Sequence, residues 1–234
     1  MTNIVCHRGA RLDAPENTHA SARKALALGG SIIELDIRQS CDGVLYVMHD
    51  ETVDRTTDGS GKISDMHSRD IDRLDAGRWF SPAYKRERVP RLRKFLAEFA
   101  PHAGFYLEIK QADCKDVAHV VQELGIADRC FTFSFDPEMR EQMRIHAPFV
   151  RRMIHWSTAG STQAAVAVHH AEIVEFHAHD FDPQNIRRCQ DAGLQVMFYT
   201  DQNDLKRFKM ALELSLDFVN IDHIEEFHRL RQNL

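Results

Sequence analysis

Two short runs place ionisable side chains two residues apart in otherwise apolar company: Glu34-Leu35-Asp36 and Glu108-Ile109-Lys110. Residues i and i+2 of a β-strand share one face, so each pair projects to the same side. Two carboxylates on one face of a buried strand are costly unless they are paired or hold a cation. Buried parallel strands normally read as near-continuous apolar runs, which makes both interruptions informative and favours the cation. Glu34, Asp36 and Glu108 make an all-oxygen set, suited to one hard divalent cation, Mg2+ or Ca2+; zinc more often recruits His or Cys. Arg8 and Lys110 add positive charge beside that set, an arrangement that reads phosphate. His7 closes the apolar run 4–6, and His49 closes the run 44–48. Imidazoles at one rim can act as general acid and general base near neutrality.

The elements that must carry these residues alternate in type. Strands are expected at 4–7, 32–37, 105–109, 130–135, 149–156, 173–176, 196–199 and 218–221, with a further extended run at 44–49. Helical patterns follow at 17–28, 92–99, 116–124, 137–146, 162–170, 183–192, 205–214 and 224–230. Alternation of this kind implies a parallel sheet. Eight units in 234 residues suit a (β/α)8 TIM barrel, which typically takes about 250. A doubly wound dinucleotide-binding sheet would need Gly-x-Gly-x-x-Gly after the first strand, where this chain has His7-Arg8-Gly9-Ala10. The stretch at about 50–90 breaks the rhythm and is expected to carry structure of its own. We therefore expect one domain, 1–234, with an insertion after strand two. Barrel enzymes place their chemistry at the C-terminal strand ends, which is where the residues above fall.

Composition narrows the classes. Hydrophobic residues at 43% and charged residues at 28% describe an ordinary globular chain. The net charge of −5 argues against a nucleic-acid partner, which calls for a basic excess. No apolar run approaches the roughly 20 residues of a membrane span, so no stable membrane insertion is expected. The start, Met-Thr-Asn leading into a strand, lacks the basic and apolar regions of a signal peptide. Five cysteines without a C-x-x-C pair read as free thiols in a reducing, cytoplasmic setting. A homodimer is the base-rate expectation for the assembly.

In order along the chain, His7-Arg8-Gly9, Pro15-Glu16-Asn17-Thr18, Glu34-Leu35-Asp36, Asp42-Gly43, His49-Asp50, Arg55-Thr56-Thr57 and Glu108-Ile109-Lys110 resemble the glycerophosphodiester phosphodiesterase family. The resemblance is dense over 4–110 and continues more weakly through Ser134-Phe135, Tyr199-Thr200 and Asn220-Ile221-Asp222. It implies a (β/α)8 barrel with a small inserted domain after strand two. It also implies metal-dependent hydrolysis of a small-molecule glycerophosphodiester to sn-glycerol 3-phosphate and an alcohol. By that resemblance His7 and His49 would be the acid/base pair, Glu34, Asp36 and Glu108 would hold the metal, and Arg8 and Lys110 would contact the phosphate. Three positions depart from the family pattern. Ser40 stands where Thr often precedes Asp-Gly, and Ile221-Asp222-His223-Ile224 lacks the usual Pro. Tyr199-Thr200 replaces Trp-Thr, which makes Tyr199 a substrate-binding candidate on the leaving-group side. The alternative is a related phosphodiesterase acting on lysophospholipids or sugar phosphodiesters. A catalytically dead binding barrel would be expected to have lost a histidine or carboxylate from the set, and none is lost.

Several other features read blandly. His177-Ala178-His179-Asp180 looks like a metal motif but lies near strand six without a further ligand set, so it is read as non-metal. His169-His170 reads as a solvated pair at a helix end. Cys6 should face away from His7, because strand neighbours alternate. Trp79-Phe80 reads as core of the inserted stretch.

Overall fold

Period-two alternation decides how the strands pack. In the computed structural model, which describes residues 1–232, Ile33, Leu35 and Ile37 face outward with Phe105, Leu107 and Ile109. They meet Leu92, Phe95 and Leu96 of one helix and Val117 and Val121 of the next. The intervening Glu34 and Asp36 turn to the other face and are buried there. Residues 233 and 234, the end of the expected domain span, lie outside the described residues.

The elements run β1 (Asn3–Cys6), α1 (His19–Ala27), β2 (Ile32–Gln39), β3 (Leu45–Val47), α2 (Ser68–Ile71), α3 (Leu92–Phe99), β4 (Gly104–Gln111), α4 (Cys114–Glu123), β5 (Cys130–Phe133) and α5 (Pro137–His146). They continue with β6 (Arg151–His155), α6 (Trp156–Ala159), α7 (Thr162–Ala167), β7 (Ile173–His177), α8 (Pro183–Asp191), β8 (Gln195–Thr200), α9 (Leu205–Glu213), β9 (Phe218–Ile221) and α10 (Ile224–Gln232). Eight strands pair in parallel in the order β1-β9-β8-β7-β6-β5-β4-β2, and β2 returns to β1 to close the sheet. The fold is a (β/α)8 barrel. No helix of the described residues is long and apolar enough to cross a membrane.

Local chemistry sets the helix starts. Side chains of Asp113, Asp136, Asp182 and Asp204 accept from the first free N–H groups of α4, α5, α8 and α9. Each satisfies donors that the helix itself leaves open. Thr18 and Ser21 form a reciprocal capping box on α1. The cap at Asp113 explains why α4 begins earlier than the expected 116. The helix expected at 162–170 stops at Ala167, and His170 then takes a left-handed φ of 49°. The strand expected at 149–156 is shorter because Trp156 opens α6.

The run expected as a strand at 44–49 shrinks to β3, and it is antiparallel, pairing Ile37 with Val47 and Gln39 with Leu45. It therefore lies outside the barrel. The β2–β3 hairpin overshoots the rim and comes back, so that Met48 N–H donates to Asp36 O at 2.9 Å. That return delivers His49 to the level of Asp36. Between β3 and α3 the chain holds α2 and two 3-10 turns, Ile63–Asp65 and Pro82–Tyr84. Tyr46, Met48, Val53, Ile63, Ile71, Ala76 and Val89 pack together beneath them. Trp79 is 40% exposed and stays outside that cluster, contrary to expectation. Tyr46 and the residues around it fill the space, while the indole N–H donates to Ala76 O and the ring meets Phe80 edge-on.

Candidate active site

At the C-terminal strand ends, His7, Arg8, Glu34, His49, Glu108, Lys110 and Tyr199 line one cavity of about 180 Å³. Asp36 sits against it, hydrogen-bonded to Asn17 and facing Lys110. All eight residues singled out in the sequence thus converge. The loop after β1 needs unusual backbone to do this. Arg8 and Asn17 both have φ of 56°, and Gly9 has φ of 80°. A Cβ on Gly9 would fall 2.5 Å from Ser21 Oγ, so the close approach of α1 requires glycine. The twist aims Arg8 N–H at Glu34 Oε2, 2.6 Å away.

Glu34, Asp36 and Glu108 each bring a ligand oxygen to within 4.8 Å of the others. Glu34 Oε1 is buried and lacks a hydrogen-bond partner, and Asp36 Oδ1 is buried with only the ammonium of Lys110 against it, at 3.2 Å. Burial, reinforced by the charges of Asp36 and Glu108, pushes the Glu34 carboxyl well above its ordinary range. Burial and the Asp36 charge also raise Glu108. Burial would raise Asp36 too, but Lys110 and Arg8 beside it hold it low. Three such carboxylates cannot all ionise cheaply alone, and the orphaned Glu34 oxygen calls for a partner. The donor set fits a hard divalent cation, and these residues could hold one.

The two histidines are held in similar ways. His7 Nδ1 is 3.0 Å from Asp222 Oδ1, and Arg11 grips the other oxygen of that carboxylate at 2.7 Å. His49 Nδ1 is 2.7 Å from Asp50 Oδ1, and Asp50 is clamped by Arg55, which also reaches Glu16. A carboxylate on Nδ1 fixes the ring and leaves Nε2 for proton exchange. Burial lowers the His49 pKa. Arg8 pairs with Glu16 at 3.0 Å, and its buried Nε has no hydrogen-bond partner. Lys110 Nζ lies 3.2 Å from Asp36 Oδ1 and also bonds Glu108. Tyr199 meets the His7 ring edge-on, with centroids 5.1 Å apart.

The structure adds residues that sequence reasoning passed over. Asp222 and Asn17 stood inside quoted motifs, but no role followed from their positions. Phe135, His155, Glu175, His177 and Asn220 line the remaining wall of the cavity. The two histidines of His177-x-His179 part company in the fold. His179 has a 70% exposed side chain, but His177 turns inward with His155 and Glu175, and these three could hold a metal. The available signal was Glu175-x-His177, which repeats the i, i+2 spacing of Glu34-x-Asp36. Burial would raise the Glu175 carboxyl, yet the imidazoles of His155 and His177 pull it down to about 2.

The family model of the glycerophosphoryl diester phosphodiesterase family matches residues 7–226. A glycerophosphodiester phosphodiesterase of Bacillus subtilis is 30% identical over 97% of this chain and 86% of its own length. Glycerophosphodiester phosphodiesterase 1 of Rattus norvegicus is 37% identical over 149 residues; the match covers 61% of this chain and 45% of that relative. The crystal structure of a glycerophosphodiester phosphodiesterase from Agrobacterium tumefaciens superposes with a TM-score of 0.95 at 44% identity, covering 98% of this chain and all of the other. With the model match spanning nearly the whole barrel, the chain belongs to the glycerophosphoryl diester phosphodiesterase family.

Proposed function

We propose that this protein hydrolyses glycerophosphodiesters to sn-glycerol 3-phosphate and an alcohol, using a divalent cation, Mg2+ or Ca2+, and the histidine pair His7 and His49. One observation carries the reading: two carboxylate-tethered imidazoles, three converging carboxylates and two cations share the rim of one cavity. Glu34, Asp36 and Glu108 would hold the metal, which when bound supplies charge neutralisation at the phosphate. Arg8 and Lys110 contribute fixed positive charge toward the non-bridging oxygens as negative charge grows in the transition state. One histidine takes the proton of the nucleophile, either water or the neighbouring glycerol hydroxyl, and the other gives a proton to the departing alkoxide; on the second route water then opens the cyclic phosphate to glycerol 3-phosphate. Asp222 and Asp50 keep the two rings aimed and stabilise whichever imidazolium forms. Tyr199 packs beside His7 and shapes the leaving-group side. Its five cysteines, all free, suit a reducing compartment, and we place the enzyme in the cytoplasm.

The test is release of glycerol 3-phosphate from a panel of glycerophosphodiesters, run with and without chelator. Release that chelator abolishes and added Mg2+ or Ca2+ restores supports the proposal. Glu34→Gln should shift the metal dependence to higher concentration. Full chelator-resistant turnover would refute the metal assignment. Turnover of lysophospholipids or sugar phosphodiesters alone would replace the substrate class.

A further inference from the structure

We propose that His155, Glu175 and His177 form a second cation site, chemically distinct from the carboxylate trio, that takes a borderline divalent ion of the zinc class. The three ligand atoms lie within 4.8 Å of one another, and all three residues line the cavity. His155 Nε2 is 2.9 Å and His177 Nε2 3.6 Å from the same oxygen, Glu175 Oε2. A distance of 3.6 Å is too long for a hydrogen bond, and His177 Nε2 is buried without a partner. Hydrogen bonding within the triad therefore leaves one buried nitrogen unsatisfied, and a cation among the three ligands would use it. Two imidazoles and one carboxylate, with a further position open to the cavity, are the ligand set that zinc favours in open sites.

The surroundings hold these ligands in place. Glu175 is 2% exposed, and its other oxygen accepts from Asn220 Nδ2 at 3.1 Å, which fixes the carboxylate plane. The His155 ring stacks on Phe133 with centroids 4.1 Å apart, and His177 packs against Tyr199 at 4.9 Å. Strand register puts His155 opposite Glu175 in the β6–β7 ladder, so the backbone itself sets the spacing. Supporting contacts of this kind are what orient metal ligands. Ligand softness separates the two sites: Mg2+ and Ca2+ prefer the all-oxygen trio, while imidazole nitrogen selects zinc-like ions. The inference does not depend on which phosphodiester is hydrolysed.

The probe is Co2+, titrated into chelator-stripped protein in saturating Mg2+ and followed by its visible d–d absorption. Wild type should bind one equivalent, displaced by Zn2+ and not by Mg2+. His177→Phe, which keeps an aromatic ring and removes both nitrogens, and Glu175→Gln should each weaken binding at least tenfold. Glu34→Gln should leave the Co2+ signal intact, which separates this site from the proposed catalytic metal. Folding of each variant is checked by its far-ultraviolet spectrum and thermal transition, and His155→Gln serves if His177→Phe does not fold. Three results would each overturn the proposal: no Co2+ binding by wild type, binding unchanged in the His177 and Glu175 variants, or loss of the signal only in Glu34→Gln. The last two would mean the triad is a hydrogen-bonded network and nothing more.

Discussion

Replacing Asp222 by Asn keeps the volume of the side chain and removes its charge. The carboxylate is 3% exposed and meets His7 Nδ1 at 3.0 Å. If His7 carries a proton in the transition state, that charge interacts with Asp222 by about 5 kcal/mol at this separation and an effective dielectric of ~20. Arg11, 2.7 Å from Oδ2, offsets part of this, and rim water screens more. About 3 kcal/mol then remains, which corresponds to a loss in kcat on the order of 10²-fold. The amide also cannot satisfy both neighbours, since its NH2 must face either His7 or Arg11, and both offer donors. KM should change much less, because Asp222 contacts His7 and Arg11 and does not line the cavity. The assay is glycerol 3-phosphate release under saturating metal, with kcat and KM separated for the single variants and for the double variant with His7→Ala. The double variant should be no slower than His7→Ala alone, as expected of groups acting as one unit. A folded Asp222→Asn enzyme within threefold of wild-type kcat would refute the idea that this carboxylate stabilises a charged His7.

Other expectations are simpler. His7→Ala and His49→Ala should each lower kcat by roughly 10²- to 10⁴-fold, the usual worth of a positioned acid or base, while thermal transitions stay near wild type; near-normal turnover in either would remove that residue from proton transfer. Gly9→Ala should destabilise by about 2–4 kcal/mol, since it adds both a left-handed residue and a clash with Ser21; an unchanged denaturant midpoint would contradict the close approach of α1. Glu175 titrates at about 2 in the fold, below its ordinary value of 4.5. A depressed carboxyl stabilises the fold fully above its unfolded pKa and loses that contribution as pH falls through the folded one. Metal-free Glu175→Gln should therefore be less stable than wild type at pH 7, and the gap should narrow between about pH 4.5 and 2. Chemical denaturation across that range would show a constant gap if the pairing with His155 and His177 were absent.

Features that depend on short spacings were legible in the chain alone. Glu34-x-Asp36 and Glu108-x-Lys110 revealed an inward polar face because strand period is two and the alternate residues are apolar. The regular spacing of apolar runs and helix starts made the barrel legible, even though caps such as Asp113 moved the boundaries. Residues joined only by long-range closure were different. Asp222 lies 215 positions from His7, and nothing local marks it as that ring's partner; the β1–β9 ladder brings them together. His155 and Glu175 become neighbours through the β6–β7 register, which the local run His177-x-His179 does not foretell. The antiparallel return of β3, which carries His49 back to Asp36, likewise needed strand pairing to choose its direction. A strand's periodicity says which side chains share a face. Only the hydrogen-bonded closure of the barrel decides which faces meet, because that choice is made by contacts between segments that no local pattern connects.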